Sequence, residues 1–481
     1  MDEAEYRKWA AAAAEWTAAY RAGLREMPVR AQIEPGSVLA QLPAAAPEQG
    51  EDFAQIFADF ERLVPPALTH WQHPRFFAYF PANATMPSVI AEQLTAAIAA
   101  NCMLWQTSPA GTEMEIRMLE WLSGLCGLPA SWQGVIQDSA SSGTLAAVLT
   151  ARERATGWQG NEAGLAGGPP LRMYYSRHAH ASVPKAIMLA GLGRANAVAI
   201  DLDADGAMDA GALERAIEAD RAAGMKPAGV VATVGATSTG DADGLAATGA
   251  VVRRHGLYGH VDAAWAGSAA LCPEHRGLLD GLEQWDSYLF NPHKWLGTNF
   301  DLCAHYLKDP AAQIRTFGAQ PDYLQTAGVE QPADFSSWTA PLGRRFRALK
   351  LWFVLRSYGA EGLRTMIRNH VAWAEEAERA LAAQPGFAIC APRRLSLFLF
   401  RHEPAGLGDA ALDEHNARLL EAINDDGFLY LTQTRLAGRY ALRLQVGAAA
   451  ATRDDVLASV ERIAEIAASL PASKQVREAD A

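Results

Sequence analysis

Ser287-Tyr288-Leu289-Phe290-Asn291-Pro292-His293-Lys294-Trp295 is an apolar run closed by a polar cluster. Tyr288, Leu289 and Phe290 suit a buried strand, and Pro292 stops it. A lysine at the end of such a strand has limited access to water. Burial disfavours its charged form and tunes the amine toward nucleophilic chemistry, including an imine with an aldehyde cofactor. A lone lysine is most often a solvated surface residue, so the weight of Lys294 depends on its surroundings.

The same pattern recurs on both sides. Short apolar runs at 173–176, 197–200, 230–234, 258–261 and 303–307 alternate with helical patterns at 183–191, 209–224 and 244–255. This βαβ rhythm predicts a mostly parallel sheet covered on both faces. In open α/β sheets ligands sit beyond the carboxyl ends of the strands. His178, His180, Thr237, Asp262 and the Asn291 to Lys294 cluster fall at those ends. Upstream, a short strand or turn at 134–137 leads into Asp138-Ser139-Ala140-Ser141-Ser142-Gly143-Thr144 and a helix to about residue 154. Such a start is an ordinary N-cap, and the same geometry offers N–H groups to a phosphate. A metal held by His178 and His180 lacks a third ligand at metal spacing, so no metal is expected.

Outward from this core, residues 4–24 read as a helix with Tyr6, Trp9, Ala13, Trp16, Tyr20 and Leu24 on one stripe. The stripe fits docking on its own chain and packing on a second subunit equally. Residues 31–50 read as a linker, and 51–70 as a second helix. The aromatic segment from His70 to Pro81 is core or the lining of a pocket for a flat ring. Residues 86–128 and 344–385 read as helical, and 318–343 as a long loop holding Pro321-Asp322-Tyr323-Leu324. After 386 the strands 395–400, 428–432 and 440–446 alternate with helices 409–424 and 453–468, a small α+β domain.

The chain has 481 residues and a net charge of -12, which argues against nucleic acid or an anionic membrane as partner. Its five cysteines are scattered without CxxC spacing, as in a reducing compartment. The acidic N-terminus lacks the basic start of a secretory signal, and no apolar run reaches membrane-spanning length. A cytoplasmic location is expected.

Several motifs together carry a resemblance. His260-Val261-Asp262-Ala263-Ala264-Trp265-Ala266-Gly267-Ser268, followed by Asn291-Pro292-His293-Lys294-Trp295, resembles the group II pyridoxal-phosphate decarboxylases. The 73–81 segment, Ser139-Ala140-Ser141, Ala179-His180-Ala181-Ser182-Val183 and Pro341-Leu342-Gly343-Arg344-Arg345-Phe346-Arg347 are similar to the aromatic-L-amino-acid decarboxylase branch. The resemblance covers nearly the whole chain. It implies an α/β chain of fold type I, aspartate aminotransferase-like. An N-terminal helical dimer-swapping segment (1–85), a large cofactor domain (86–358) and a small C-terminal domain (359–481) are expected.

The resemblance also implies roles. Lys294 would hold pyridoxal 5'-phosphate through its aldehyde, and Asp262 would pair with the pyridine nitrogen. Ala140, Ser141 and Asn291 would hold the phosphate, His180 would stack on the ring with Ala264 opposite, and Thr237 would stand near the ring oxygen. His293 would support the site. Tyr323 would return a proton after carbon dioxide leaves; relatives with phenylalanine there tend to be oxidative aldehyde synthases. Trp71, Tyr79, Phe80, Pro81 and Ala82, with Gly343, would meet the substrate ring, as would Asn101 and Met103 across a homodimer. The implied activity is decarboxylation of tryptophan, DOPA, tyrosine or phenylalanine to the arylalkylamine, with an aldehyde synthase as the alternative.

Overall fold

The computed structural model describes residues 1–318 and 333–471. The chain forms two compact units, Ala82–Asn369 and a second made of Met1–Pro81 with His370–Ala481.

The Ala82–Asn369 unit is built on a seven-stranded sheet. Its strands are β1 (Gln133–Gln137), β2 (Leu171–Ser176), β3 (Ala197–Ile200), β4 (Lys226–Thr233), β5 (Tyr258–Asp262), β6 (Ser287–Phe290) and β7 (Cys303–Leu307). The spatial order is β1-β7-β6-β5-β4-β2-β3. The five strands from β2 to β6 pair in parallel, as the βαβ rhythm predicts. β7 runs antiparallel to β6, and β1 antiparallel to β7. The chain between β6 and β7 spends its length on the lysine cluster and a four-residue helical turn, Pro292–Trp295, so it doubles back instead of crossing over. Every residue of β5, β6 and β7 is buried, as expected for strands covered on both faces.

The Ala140–Thr156 helix lies on this sheet. Ala147, Val148 and Ala151 pack with Met173, Val231 and Tyr258 in one apolar cluster. Gly143 lets the helix start come close to β6: a Cβ there would stand 2.7 Å from Leu289 Cδ2. The first turn is thereby fixed against the strand that ends in Asn291.

The second unit carries an antiparallel sheet of β8 (Phe387–Arg394), β9 (Leu397–His402), β10 (Thr432–Leu436) and β11 (Arg439–Gln445), in the order β10-β11-β9-β8. The helices Asp409–Asp426 and Arg453–Ser469 contribute Leu419, Ile423, Val456 and Val460 to its core, against Phe398, Phe400, Leu442 and Leu444. One expectation needs correction here, and one strand was not foreseen. The run 428–432 is not a strand. Leu429 and Leu431 sink into the core, and Tyr430 makes a single bridge to Phe76. The strand starts at Thr432 and turns at Ala437 and Gly438, both at positive φ, the geometry of a tight type I′ hairpin. β8 was hidden because it is an edge strand, half-buried along its length and interrupted by Pro392.

The Glu3–Gly23 helix begins with a capping box between Asp2 and Glu5. Part of its aromatic stripe meets its own chain, while Tyr6 stays exposed. Trp9 meets Phe53 and Phe57 at 5.1 and 5.4 Å between ring centres, and Trp16 meets Phe60 at 4.8 Å. Among the described residues, no helix is long and apolar enough to cross a membrane.

Candidate active site

A cavity of about 320 Å³ opens at the carboxyl ends of β4, β5 and β6, facing the start of the Ala140–Thr156 helix. The helix supplies Ala140 and Ser141, with Ser139 as its cap. The β4 end and the turn after it supply Thr233, Gly235 and Thr237. Asp262, Ala264 and Trp265 come from the end of β5, and Asn291, His293 and Lys294 from the end of β6. His180, Ser182 and Phe300 complete the wall. This is where a doubly covered α/β sheet presents a ligand site.

Backbone bonds lock the β5 and β6 ends together. The Ala263 N–H donates to the Leu289 carbonyl at 3.0 Å, the Asn291 N–H to the Ala264 carbonyl at 2.8 Å, and the Lys294 N–H to the Asn291 carbonyl at 2.9 Å. Asp262 accepts the Ala264 N–H at 3.0 Å through Oδ1. Burial pushes the Asp262 carboxyl up, while Lys294, the Ala264 N–H and His180 pull it back. Burial likewise pushes the Lys294 amine below its ordinary value, opposed by Asp262. The cavity thus holds an amine and a carboxylate whose charged forms depend on each other.

His180 is turned by its neighbour. Its Nδ1 accepts the Ser182 N–H at 3.2 Å and lies 2.9 Å from Ser182 Oγ. Burial holds the ring below the usual imidazole range. A neutral ring with an accepting Nδ1 carries its proton on Nε2. His293 accepts the Leu302 N–H on Nδ1 at 2.9 Å and stacks at a tilt on Phe300, 4.8 Å between ring centres. Burial, with Lys294 adding to it, takes its pKa down to about 3. His293 is therefore a neutral wall residue.

The helix start is built for an anion. Ser139 Oγ caps it by accepting the Ser142 N–H at 3.3 Å. The Ser139 and Ser142 hydroxyls donate to Asp138 Oδ2 at 3.0 and 2.9 Å, which engages that carboxylate. The first-turn N–H groups of Ala140 and Ser141 have no intrahelical acceptor and stand at the positive end of the helix dipole. Two buried polar atoms on the cavity wall, Asn291 Oδ1 and Thr233 Oγ1, have no hydrogen-bond partner among the described residues. A buried polar atom left alone is costly, and both fit a polar ligand. An amine, a carboxylate, a phosphate cradle and orphan polar atoms in one cavity match the donor set that pyridoxal phosphate needs.

Nine residues named from the sequence meet in this cavity: Ala140, Ser141, His180, Thr237, Asp262, Ala264, Asn291, His293 and Lys294. Others do not line it. Asn101 and Gly343 line a separate open cleft, and Met103 touches Asn101 through its sulfur at 3.5 Å. Ala82 opens the same unit, while Trp71, Tyr79, Phe80 and Pro81 belong to the second one. Tyr323 lies outside the described residues. Sequence reasoning passed over Thr233 and Gly235, although the strand-end rule points to both. It also passed over Phe300, which sits in an aperiodic stretch with no local pattern to mark it.

Comparison with known proteins identifies the family. The model of the pyridoxal-dependent decarboxylase conserved domain matches residues 35–403. The chain is 38% identical to the aromatic-L-amino-acid decarboxylase of Sus scrofa, over 99% of each protein. It is 40% identical to the histidine decarboxylase of Drosophila melanogaster over 98% of this chain, which is 56% of that protein. Identity to the phenylacetaldehyde synthase of Arabidopsis thaliana is 36%, over 93% of each. The solved structure of Oryza sativa TDC with pyridoxal phosphate and tryptamine superposes with a TM-score of 0.93 at 33% identity, covering 98% of this chain and 99% of that one. The chain belongs to the group II pyridoxal-phosphate-dependent decarboxylases, fold type I carboxy-lyases that use pyridoxal phosphate.

Proposed function

We propose that the chain decarboxylates an aromatic L-amino acid to the corresponding arylalkylamine and carbon dioxide, with Lys294, Asp262, His180 and Tyr323 as its catalytic residues. The observation that carries this reading is the meeting of Lys294, Asp262 and His180 in one cavity with a phosphate-binding helix start. When bound, pyridoxal phosphate supplies an electron sink for the pair left behind as carbon dioxide departs. Lys294 is the amine that would hold the cofactor through its aldehyde. Asp262 keeps a proton on the pyridine nitrogen. Ala140, Ser141 and Asn291 hold the phosphate, and Thr237 and Ala264 bound the ring. His180 would bound the ring with a neutral imidazole whose Nε2 carries the proton. Tyr323 would return a proton to the substrate carbon. Trp71, Tyr79, Phe80, Pro81, Ala82, Asn101, Met103 and Gly343 are the proposed contacts of the substrate ring.

We also propose a cytoplasmic homodimer. Met86, Ile90, Leu94 and Ile98 recur every four residues on the Met86–Ile98 helix and are all exposed, an apolar stripe suited to a second copy. The acidic composition and five free cysteines suit a reducing compartment. An active, monodisperse monomer in sedimentation would refute the dimer.

The second reading is an aromatic aldehyde synthase, which the Arabidopsis relative's name favours. Product analysis separates the two. The purified enzyme with pyridoxal phosphate is given tryptophan, DOPA, tyrosine, phenylalanine, histidine and glutamate in turn. Amine and carbon dioxide from an aromatic substrate support decarboxylation. Aldehyde with ammonia and peroxide supports the synthase, and glutamate as the preferred substrate overturns both. Tyr323→Phe should divert product from amine to aldehyde. Amine at the full rate from that variant would remove the protonation role.

A further inference from the structure

We infer that Asn83 is a positioning residue for Lys294, set in a strap at 83–88 that clamps the lysine turn. The Asn83 side-chain amide donates to the Lys294 carbonyl at 2.7 Å, and its backbone N–H donates to the His293 carbonyl at 2.9 Å. Two residues on, Thr85 gives the Gly297 carbonyl both its N–H and its hydroxyl, each at 2.9 Å. Ser88 Oγ then donates to Asn299 Oδ1 at 2.5 Å and accepts the Asn299 N–H at 2.7 Å. The fit leaves no slack. Gly297 sits at φ +75°, and a Cβ there would stand 2.5 Å from Thr85 Cγ2.

The need for a clamp follows from the turn's length. Pro292–Trp295 is a single helical turn, too short to satisfy its own carbonyls. Asn83, buried at 1% exposure, supplies the missing donors. A lysine amine stands about 6 Å from its Cα, so a backbone tilt of about 10° moves it by about 1 Å. A displacement of that size is enough to impair a reaction that depends on alignment. Asn83 touches neither substrate nor cofactor in this account; it acts through the lysine backbone.

This inference rests on Lys294 being the amine that takes the cofactor. The test uses the full chain with Asn83→Asp, which keeps the shape and removes the amide donor, and Asn83→Ala. Amide hydrogen exchange over 293–298 in the apo protein should quicken. Absorbance titration should show pyridoxal phosphate bound about three- to tenfold more weakly, the range for one lost hydrogen bond. The pH midpoint of the visible band should move. Wild-type affinity and midpoint in Asn83→Asp would overturn the clamp. If the Asn83 variants do not fold, Thr85→Val removes one strap hydroxyl and should weaken binding about threefold; unchanged affinity there also counts against the clamp. Lys294→Ala separates the two ideas. A borohydride-reducible adduct that survives in Lys294→Ala sinks the reading of Lys294 itself.

Discussion

Lys294 and Lys350 lie in the same unit, both enclosed by protein, and burial pushes both amines below their ordinary value. Lys350 is the more deeply buried residue, and the two differ most in what pairs with the amine. Lys350 Nζ stands 2.8 Å from Glu92 Oε1, and Arg345 reaches Glu92 as well. Lys294 has no carboxylate within ion-pair distance among the described residues; Asp262 acts on it through space. A desolvated ammonium with a carboxylate in contact is held charged and committed. One without such a contact stays close to losing its proton, and its amine is available for covalent chemistry. Two lysines whose amines burial shifts in the same direction therefore read as a structural cation and a reactive amine.

The largest expected effect breaks this comparison apart. Lys294→Ala should abolish turnover and the cofactor's visible band while costing the apo protein less stability than Lys350→Met, because no carboxylate among the described residues contacts the amine. Lys350→Met should do the reverse. It keeps the band and the activity, and it loses about 3 kcal/mol of stability, the lower end for removing one partner of a buried pair. Arg345 remains to hold Glu92, which keeps the loss at that end. Absorbance, product assay and denaturant unfolding on both variants decide the matter. Equal loss of activity in the two would show that burial and not pairing sets the reactivity.

Asp262→Asn tests the through-space partner. The amide oxygen can still accept the Ala264 N–H, so the local geometry persists. The negative charge that opposes the effect of burial on Lys294 is gone. Turnover should fall by about a hundredfold or more, the scale for a positioned proton-holding group. The visible band should also titrate at lower pH, because the amine's charged form has lost its support. A kcat within a few fold of wild type would show that the carboxylate is a turn residue only.

The contrast between the two lysines also marks how far sequence alone reaches. The parallel strands are legible because strands covered on both faces are uninterrupted apolar runs, and polar residues at their ends stand out. That is why Asp262, Asn291 and Lys294 could be placed before any coordinates. The antiparallel return of β7 and β1 was not legible, because nothing local tells a doubled-back strand from a crossover. Asn83 and Ser88 were missed for a related reason: each bonds a residue 211 positions away. Such a pairing leaves no periodicity. Glu92 and Lys350 are likewise joined only by the fold. Asn101, Met103 and Gly343 came from a resemblance in sequence, and they stand apart from the cavity within this one chain.

Acid should probe the two regions more gently. His293 lies near both lysines, and each adds to the burial that takes its pKa down to about 3; His305, buried on β7, is held at about 3 by burial. In the unfolded chain both titrate near 6.5. A histidine whose folded pKa is depressed contributes stability that is fully present above about pH 6.5 and is lost as pH falls toward 3. Each should cost about 1.4 kcal/mol per pH unit across that window. Denaturant unfolding at pH 7 and pH 5 should therefore show a marked loss at the lower pH. His305 makes the cleaner variant, because neither ring nitrogen has a hydrogen-bond partner among the described residues. His305→Leu should flatten the decline by about 1.4 kcal/mol per unit and, by removing two unsatisfied buried nitrogens, should not weaken the protein at pH 7. A decline as steep as that of wild type would mean that His305 takes up no proton on unfolding, and the acid sensitivity would then belong to the other buried histidines, His293, His73, His260 and His370.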